Sequence, residues 1–543
     1  MLTYDPNYKL KRKDLPWLLV VVALIWVFGT AFFHSPWEPF EPFVVAVVKG
    51  IIDNHSWLVP YISNAPYLDV QPFYFWLYST FIKLFNIHNI YVLADTVRIL
   101  NTLIIFAVII VLAKIGSNLQ AYKNGRTVVL VLISSVGFIN NAYQLSPQII
   151  NLLGFGIYIY ALQLHRRLPG ISSWILFVGL MLISINFNCE FILIALAILM
   201  ILPLIDRHWR SKLYLITTVF GICLFAVIFF LYAYQLNRVN PDFFNQWQYR
   251  YTKLIHLKHY NILHQLLDAL NFLWWYTLPG WMLVIWSVYK RKLNLFKDKI
   301  IQLNIILAAL LILFAIFSGR SMGDALFPII VPFTLIASLE IDSIRISIVS
   351  LLNWFSIFLF ASLGIILWGG YLAFNFNWSV IDPLLKISQH YTYHFHWEQA
   401  FLAVLITFIW VFLITRTHIR GREMLTNFAS GVTFILVLFM TLWLPWFDSV
   451  LSFKPIVEGS LPYLDTKSCI ATNGADTTQG ALWYYYANTN LIPSFTNNID
   501  YSICNSAIVA TENIKTIDQK QWTILWQAKR PIDKKVYYVV KRK

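Results

Sequence analysis

Apolar stretches near the ~20 residues that cross a bilayer as a helix follow one another from Trp17 to about Leu444, separated by short polar interruptions. The first, Trp17 to Phe33, is preceded by Lys9, Lys11, Arg12 and Lys13 and is not followed by an A-x-A cleavage pattern. It therefore reads as a retained transmembrane helix with a cytoplasmic N-terminus rather than a cleaved leader. Roughly thirteen spans satisfy the hydropathy criterion. One stretch needs arbitration: Phe73 to Phe85 is apolar but short and polar-flanked. The basic clusters decide it. Lys114 to Arg126, His165 to Arg167, Arg207 to Lys212, Lys290 to Lys299, Arg345 and Arg416 to Arg422 all fall on the cytoplasmic side only if Phe73 to Phe85 does not cross. It is read as an interfacial helix within a long first outer loop, residues 34–94, and further outer loops are expected around Pro147, Asn188, Asn237 to Asp268, Gly319 to Asp324 and Asn375 to Glu398.

After about residue 446 the pattern changes. Polar turns (Asn473-Gly474, Asn497-Asn498) and short β-prone runs such as Cys469 to Thr472 and Val536 to Val540 replace the spans. Two domains are expected: a membrane domain over residues 1–446 and a small α/β domain over 447–543 on the outer, periplasmic side. Composition closes off a soluble alternative, since 58% of the 543 residues are hydrophobic and only 12% charged, against roughly 25% charged in an ordinary globular chain. The fold class is an all-α polytopic membrane protein. A net charge of +15 would suggest a nucleic-acid partner in a soluble chain. Here the bases sit in short clusters between apolar runs and report topology, so no nucleic acid is implied. Cys189 and Cys223 lie in apolar stretches and read as core thiols. Cys469 and Cys504 both fall in the outer domain, where an oxidising compartment favours a disulfide between them.

The chemistry concentrates in the first outer loop. Carboxylates beside a membrane are costly unless they face water or a partner. This loop carries Glu38 and Glu41 in Trp37-Glu38-Pro39-Phe40-Glu41-Pro42, then Asp53, then Asp69 in Tyr67-Leu68-Asp69-Val70-Gln71-Pro72. Read alone they fit either solvated loop charges or a site. Their surroundings resemble the first periplasmic loop of the GT-C glycosyltransferases related to lipid A aminoarabinose transferase and the protein O-mannosyltransferases. The resemblance rests on Ser56-Trp57-Leu58-Val59-Pro60, on Pro66-Tyr67-Leu68-Asp69 running into Pro72-Phe73-Tyr74-Phe75-Trp76, and on Phe327-Pro328 with Pro332.

The resemblance implies a GT-C core with interfacial helices in the first loop. It also implies inverting transfer of a sugar, plausibly an amino sugar, from a polyprenyl-phosphate carrier to a lipid-linked acceptor such as lipid A at the periplasmic face of a bacterial inner membrane. Transfer to a protein Ser or Thr hydroxyl is the alternative within the family, and a silent lipid-linked-sugar binder or transporter the alternative outside it. Carried over by position, Glu41 matches an acceptor-side carboxylate, with Glu38 as a second catalytic candidate, and Asp69 matches an acidic residue able to bind a divalent metal ion. The sequence departs from the family pattern at Phe40 and Val70, at Gln148 where an aspartate is usual, and around Ile185 to Asn188 where a lysine is usual.

The outer segment Asn237 to Asp268 supplies cations and aromatics: Arg238, Tyr249, Arg250, Lys253, His256, Lys258, His259 and His264. A guanidinium grips phosphate with a planar fork, so Arg250, Lys253, Tyr249 and, from the Gly319 to Asp324 segment, Arg320 are the expected donor-phosphate contacts. The same residue types also serve as interfacial anchors. By resemblance His259, or His264, is the histidine metal ligand beside Asp69. His390, His394 and His396 with Glu398 read as a boundary anchor. Arg320 and Asp324 fit either closure over the donor or a mutual ion pair.

Overall fold

The computed structural model describes residues 17–29, 32–54, 56–63, 65–85, 90–119, 124–185, 189–252, 262–388, 395–415, 422–465, 468–473, 477–493, 504–514, 517 and 520–543. Among them, seven helices are long and apolar enough to cross a membrane: Val92–Leu119, Pro147–Leu164, Lys212–Val239, Lys299–Ser318, Ile346–Asn375, Trp397–Thr415 and Glu423–Leu442. A further pair, Gly125–Ser134 and Val136–Ala142, passes the same test together but bends by 73°. Four shorter apolar helices, Leu18–Phe28, Pro169–Ile183, Glu190–Ile205 and Met322–Ala337, account for other stretches expected to span. This is a multi-pass membrane protein. Contact clustering divides the chain into one unit of residues 1–30, 101–365 and 402–438 and a second of 31–100, 366–401 and 439–543.

In the first unit, helices close on one another over small residues, the device that substitutes for a hydrophobic driving force in lipid. A β-carbon on Gly154 would stand 2.9 Å from the Ile183 nitrogen, and one on Gly179 would stand 2.9 Å from the Tyr158 nitrogen. The helices Pro147–Leu164 and Pro169–Ile183 therefore touch backbone to backbone. The sharp bend before Val136 frees polar groups that lipid cannot satisfy. Val136 N donates to Leu278 O at 3.3 Å, Ser135 Oγ to Tyr276 O at 3.3 Å, and Asn141 Nδ2 to the Tyr276 hydroxyl at 2.5 Å.

One reading is filled in here and one is corrected. The segment Asn237 to Asp268 is largely helical in its described part: the span runs to Val239, Pro241–Thr252 forms a separate helix, and Ile262–Tyr276 begins the next. Its Asn and Gln residues mask an amphipathic repeat, Phe243, Trp247 and Tyr251, one turn apart and buried. Cys223 is not a core thiol; it lies on an exposed face of Lys212–Val239, which suits lipid rather than packing, and Cys189 is only half-buried.

The second unit holds the first loop and the C-terminal domain. Helix Glu41–Asn54 is followed by a two-residue hairpin, β1 (Tyr61–Ile62) against β2 (Ala65–Pro66), and then by helix Pro72–Leu84, which opens on a proline at a position where no amide donor is needed. The C-terminal strands are β3 (Cys469–Asn473), β4 (Asn490–Pro493), β5 (Ser506–Thr511), β6 (Trp522–Ala528) and β7 (Val536–Arg542). They make one sheet in the order β4-β3-β5-β7-β6, parallel across β4-β3-β5 and antiparallel across β5-β7-β6. One face packs Ile470, Ile508 and Val539 against Phe453, Val457 and Trp483; the other gathers Ala507, Val509, Trp522 and Tyr538. Cys469 and Cys504 are disulfide-bonded, Cα atoms 5.3 Å apart.

Candidate active site

Glu41 opens its helix, and its carboxylate turns back to accept the Trp37 N–H at 3.0 Å. Pro42 follows at a position that tolerates the missing N–H. The partner comes from helix Ile90–Leu119: Arg98 Nη2 lies 2.9 Å from Glu41 Oε2, and its Nε lies 3.4 Å from Oε1. The same guanidinium reaches Asp95 Oδ1 at 2.8 Å, His34 O at 2.8 Å and Ser35 O at 3.1 Å. Both ends of the pair are out of water, Glu41 at 5% and Arg98 at 3% relative exposure. Asp448 binds the adjoining chain, accepting from Ser35 N at 2.9 Å, Ser35 Oγ at 2.6 Å and Trp37 Nε1 at 2.9 Å. The His34 ring stacks on Trp37, centroids 4.1 Å apart.

Burial alone would push the Glu41 carboxyl upward. The Arg98 charge, His34 and the hydrogen bonds outweigh it and hold the group below the usual carboxylate range. His34 is pushed below the ordinary imidazole value by burial, with Glu41 pulling the other way and Arg98 adding to the fall. A carboxylate stabilised this way stays ionised at neutral pH and is a weak proton acceptor. Its chemistry is to place and to balance charge.

Glu38 does not share a helical face with Glu41, because the helix starts only at Glu41. Its Oε2 is held by Arg530 Nη2 at 2.8 Å, while Oε1 is buried without a hydrogen-bond partner among the described residues. Asp53 and Asp69 are exposed, Asp69 on the turn between β2 and helix Pro72–Leu84. Lys49, buried in the same first-loop helix, donates to Tyr484 O at 3.2 Å and Tyr485 O at 2.9 Å, the last turn of helix Thr477–Ala487. Burial lowers its proton affinity, with Asp53 opposing.

In the first unit, Gly319 takes a left-handed φ of 62° and ends the span Lys299–Ser318, setting Arg320 immediately beyond it. Arg320 pairs with Glu190, not Asp324: its Nη2 and Nε lie 2.8 and 3.2 Å from Glu190 Oε1. Glu190 is buried, whereas the Arg320 side chain is 30% exposed, and no hydrogen bond from Nη1 is made among the described residues. Asp324 instead accepts from Ser321 Oγ at 2.7 Å and from Gln148 Nε2 at 3.3 Å. Tyr249 and Arg250 are exposed on helix Pro241–Thr252, away from its buried Phe243, Trp247 and Tyr251 stripe. Lys253, His256, Lys258 and His259 lie outside the described residues, as do His390 and His394. His264 is bonded to Asp268 at 2.7 Å. Among the described residues no three His, Cys, Asp or Glu side chains gather to hold a metal ion.

Sequence reasoning missed Arg98, Asp95, His34, Asp448, Lys49 and Arg530. Arg98 carried a readable signal, since a charge inside an apolar run is expensive and asks for a partner. Nothing local marked Arg530.

The many-helix membrane core, the first loop built from short helices and the C-terminal α/β sheet are similar in fold to solved structures of a GT-C type membrane glycosyltransferase. A counterpart is ArnT from Cupriavidus metallidurans bound to undecaprenyl phosphate, with a TM-score of 0.66 at 13% identity over 96% of this chain and 97% of that one. The apo state of the same ArnT gives 0.65 at 12% identity with the same coverage. No protein-family model matches the chain, and neither does any curated protein sequence.

Proposed function

We propose that the protein is an inverting glycosyltransferase that moves a sugar, of the amino-sugar class, from a polyprenyl-phosphate carrier to a lipid-linked phosphate acceptor such as lipid A. The reaction lies at the periplasmic face of a bacterial inner membrane, with the N-terminus cytoplasmic and residues 447–543 periplasmic. The observation that carries this reading is the end-to-end fold correspondence with a transferase whose structure holds undecaprenyl phosphate. The acceptor oxygen attacks the anomeric carbon while the bond to the carrier phosphate breaks and its electron pair leaves with that phosphate. Charge growing there calls for preplaced cations. Arg320 supports this role, since Glu190 fixes one edge of its fork and Nη1 makes no hydrogen bond among the described residues. Arg250, Tyr249 and Lys253 are the further donor-side candidates.

A phosphate acceptor is favoured over a hydroxyl by the state of the carboxylates. A hydroxyl must lose its proton during attack, whereas a phosphate monoester arrives ionised. Glu41 is committed to Arg98 and held in its charged form, Glu38 is committed to Arg530, and position 148 is a glutamine. The test is transfer by purified full-length protein in liposomes containing a polyprenyl-phosphate-linked amino sugar, lipid A and a Ser/Thr-rich acceptor protein. A sugar-sized mass gain on lipid A is expected. Label on the protein with lipid A unchanged would move the acceptor to a hydroxyl, and donor binding without turnover would leave a lipid-linked-sugar binder.

A further inference from the structure

The turn joining β6 to β7, residues 529–535, reads Lys-Arg-Pro-Ile-Asp-Lys-Lys. Four bases and one acid give it a net charge of +3, and the structure sorts those charges. Arg530 is buried at 4% exposure. Its Nε and Nη2 grip Asp533 at 3.0 and 2.8 Å, its Nη1 donates to Leu451 O at 3.1 Å, and its guanidinium lies 5.5 Å from the centre of the Phe453 ring. The one carboxylate of the turn is thereby used internally. Lys529, Lys534 and Lys535 are exposed to solvent, with Ile532 at 47% exposure between them.

Leu451 fixes where this tip stands in the chain. It ends helix Leu444–Leu451, which starts two residues past Leu442, the end of the span-length helix Glu423–Leu442. Around that short helix lies an aromatic layer: Trp446 is buried with Phe374 and Ile381, and Trp443 packs on Phe374 with centroids 5.4 Å apart and donates to Leu367 O at 3.2 Å. Phe374 belongs to the last turn of another span-length helix, Ile346–Asn375. Tryptophans at the ends of spans mark the headgroup level of a bilayer. A tip tied to Leu451 is tied to that level.

We propose that residues 529–535 are a docking surface for anionic phospholipid, the three lysines facing headgroup phosphates and Ile532 entering the interface. Charge complementarity identifies the occupant. Basic side chains near an anionic leaflet each gain on the order of fivefold in partitioning, fading within a Debye length, and an exposed branched apolar side chain between them suits lipid better than water.

The test uses full-length protein in nanodiscs, with an environment-sensitive fluorophore on Ile532→Cys in a Cys189→Ser/Cys223→Ser background. Discs of phosphatidylcholine are compared with discs carrying about one-third phosphatidylglycerol. We expect blue-shifted emission only with phosphatidylglycerol, lost on adding about 0.5 M salt and lost in the triple variant Lys529→Gln/Lys534→Gln/Lys535→Gln. Because those side chains are exposed, the triple variant should keep its disulfide and elute as a single species, which separates loss of docking from loss of fold. Identical spectra in the two lipids, or a shift retained in the triple variant, would overturn the proposal. So would a shift that appears with lipid A in phosphatidylcholine discs but not with phosphatidylglycerol, which would make the tip a substrate contact.

Discussion

Replacing Arg98 with glutamine isolates the charge balance on which the first-loop site depends. The guanidinium donates two hydrogen bonds to Glu41, one to Asp95 and one each to the carbonyls of His34 and Ser35, and its Nη2 also lies 3.1 Å from His34 Nδ1. Glutamine has two N–H donors and no charge, so at least three bonds disappear and Glu41 is left ionised in a site where it is 5% exposed. Removing one member of a buried pair costs about 3–5 kcal/mol because the survivor is uncompensated. Glu41→Gln should cost less, about 1–3 kcal/mol, since Arg98 keeps Asp95 and both carbonyls. The double variant Arg98→Gln/Glu41→Gln should then be no less stable than Arg98→Gln alone, giving a coupling energy at least as large as the Glu41→Gln loss, about 1–3 kcal/mol. Unfolding in mixed micelles, followed by tryptophan emission as dodecyl sulfate is raised, measures all four corners of the cycle. If the two single losses add to within about 0.5 kcal/mol, the pair is not coupled and the charge-balance account fails.

Acid should weaken the same site in two phases. His34 titrates below its ordinary ~6.5 when folded, so the unfolded chain takes the proton first and stability falls as pH drops from that value. Glu41, held below the usual carboxylate value of ~4.3, contributes stability above it that is lost as pH falls through its folded value. His34→Gln should shrink the upper phase, to which His165 and His208, also lowered by burial, contribute as well, and should spare the lower in unfolding curves taken from pH 7.5 to 2; an unchanged upper phase would acquit His34. The bond between Cys469 and Cys504 closes 35 residues, and removing it by Cys504→Ser should destabilise the C-terminal domain by about 4 kcal/mol on the loop-entropy relation, seen as early proteolysis confined to that domain. Arg320→Lys keeps a charge but loses the fork and should raise the donor KM at least tenfold with kcat less affected, whereas Arg250→Lys tests the exposed helix in the same assay. Gly431→Ala would set a methyl 2.0 Å from Phe360 Cδ2 and should cost about 1–3 kcal/mol by overpacking, with a lowered detergent melting point as the readout.

What the sequence made legible followed from period and composition. Spans declare themselves by length, Pro72 marks a helix start, and Cys469 to Thr472 and Val536 to Val540 do form strands. Apolar length alone did not reveal that Pro169–Ile183 and Glu190–Ile205 make helices shorter than a full crossing. Asn237 to Asp268 hid its helix because polarity was weighed above the four-residue spacing of Phe243, Trp247 and Tyr251. The site was half visible. Glu38, Glu41 and Asp69 stand in a recognisable motif, but what each does is set by partners that no local rule supplies: Arg98 is 57 residues from Glu41, and Arg530 is 492 residues from Glu38.

That last separation has a meaning in time. A ribosome adding about 5–20 residues per second takes roughly 25–100 s to travel from Glu38 to Arg530. Arg98 follows Glu41 within about 3–12 s at the same rates. Lys49 waits almost as long as Glu38, because the carbonyls that accept it are those of Tyr484 and Tyr485. The first loop of the nascent chain thus spends most of synthesis with one carboxylate partnered and another, beside a lone ammonium, still unmatched. A message cut short even after Lys529 would deliver nearly the whole polypeptide while leaving Glu38 without its arginine. Quality control that reads uncompensated charge beside the membrane can therefore distinguish a finished chain from one lacking only its final strand.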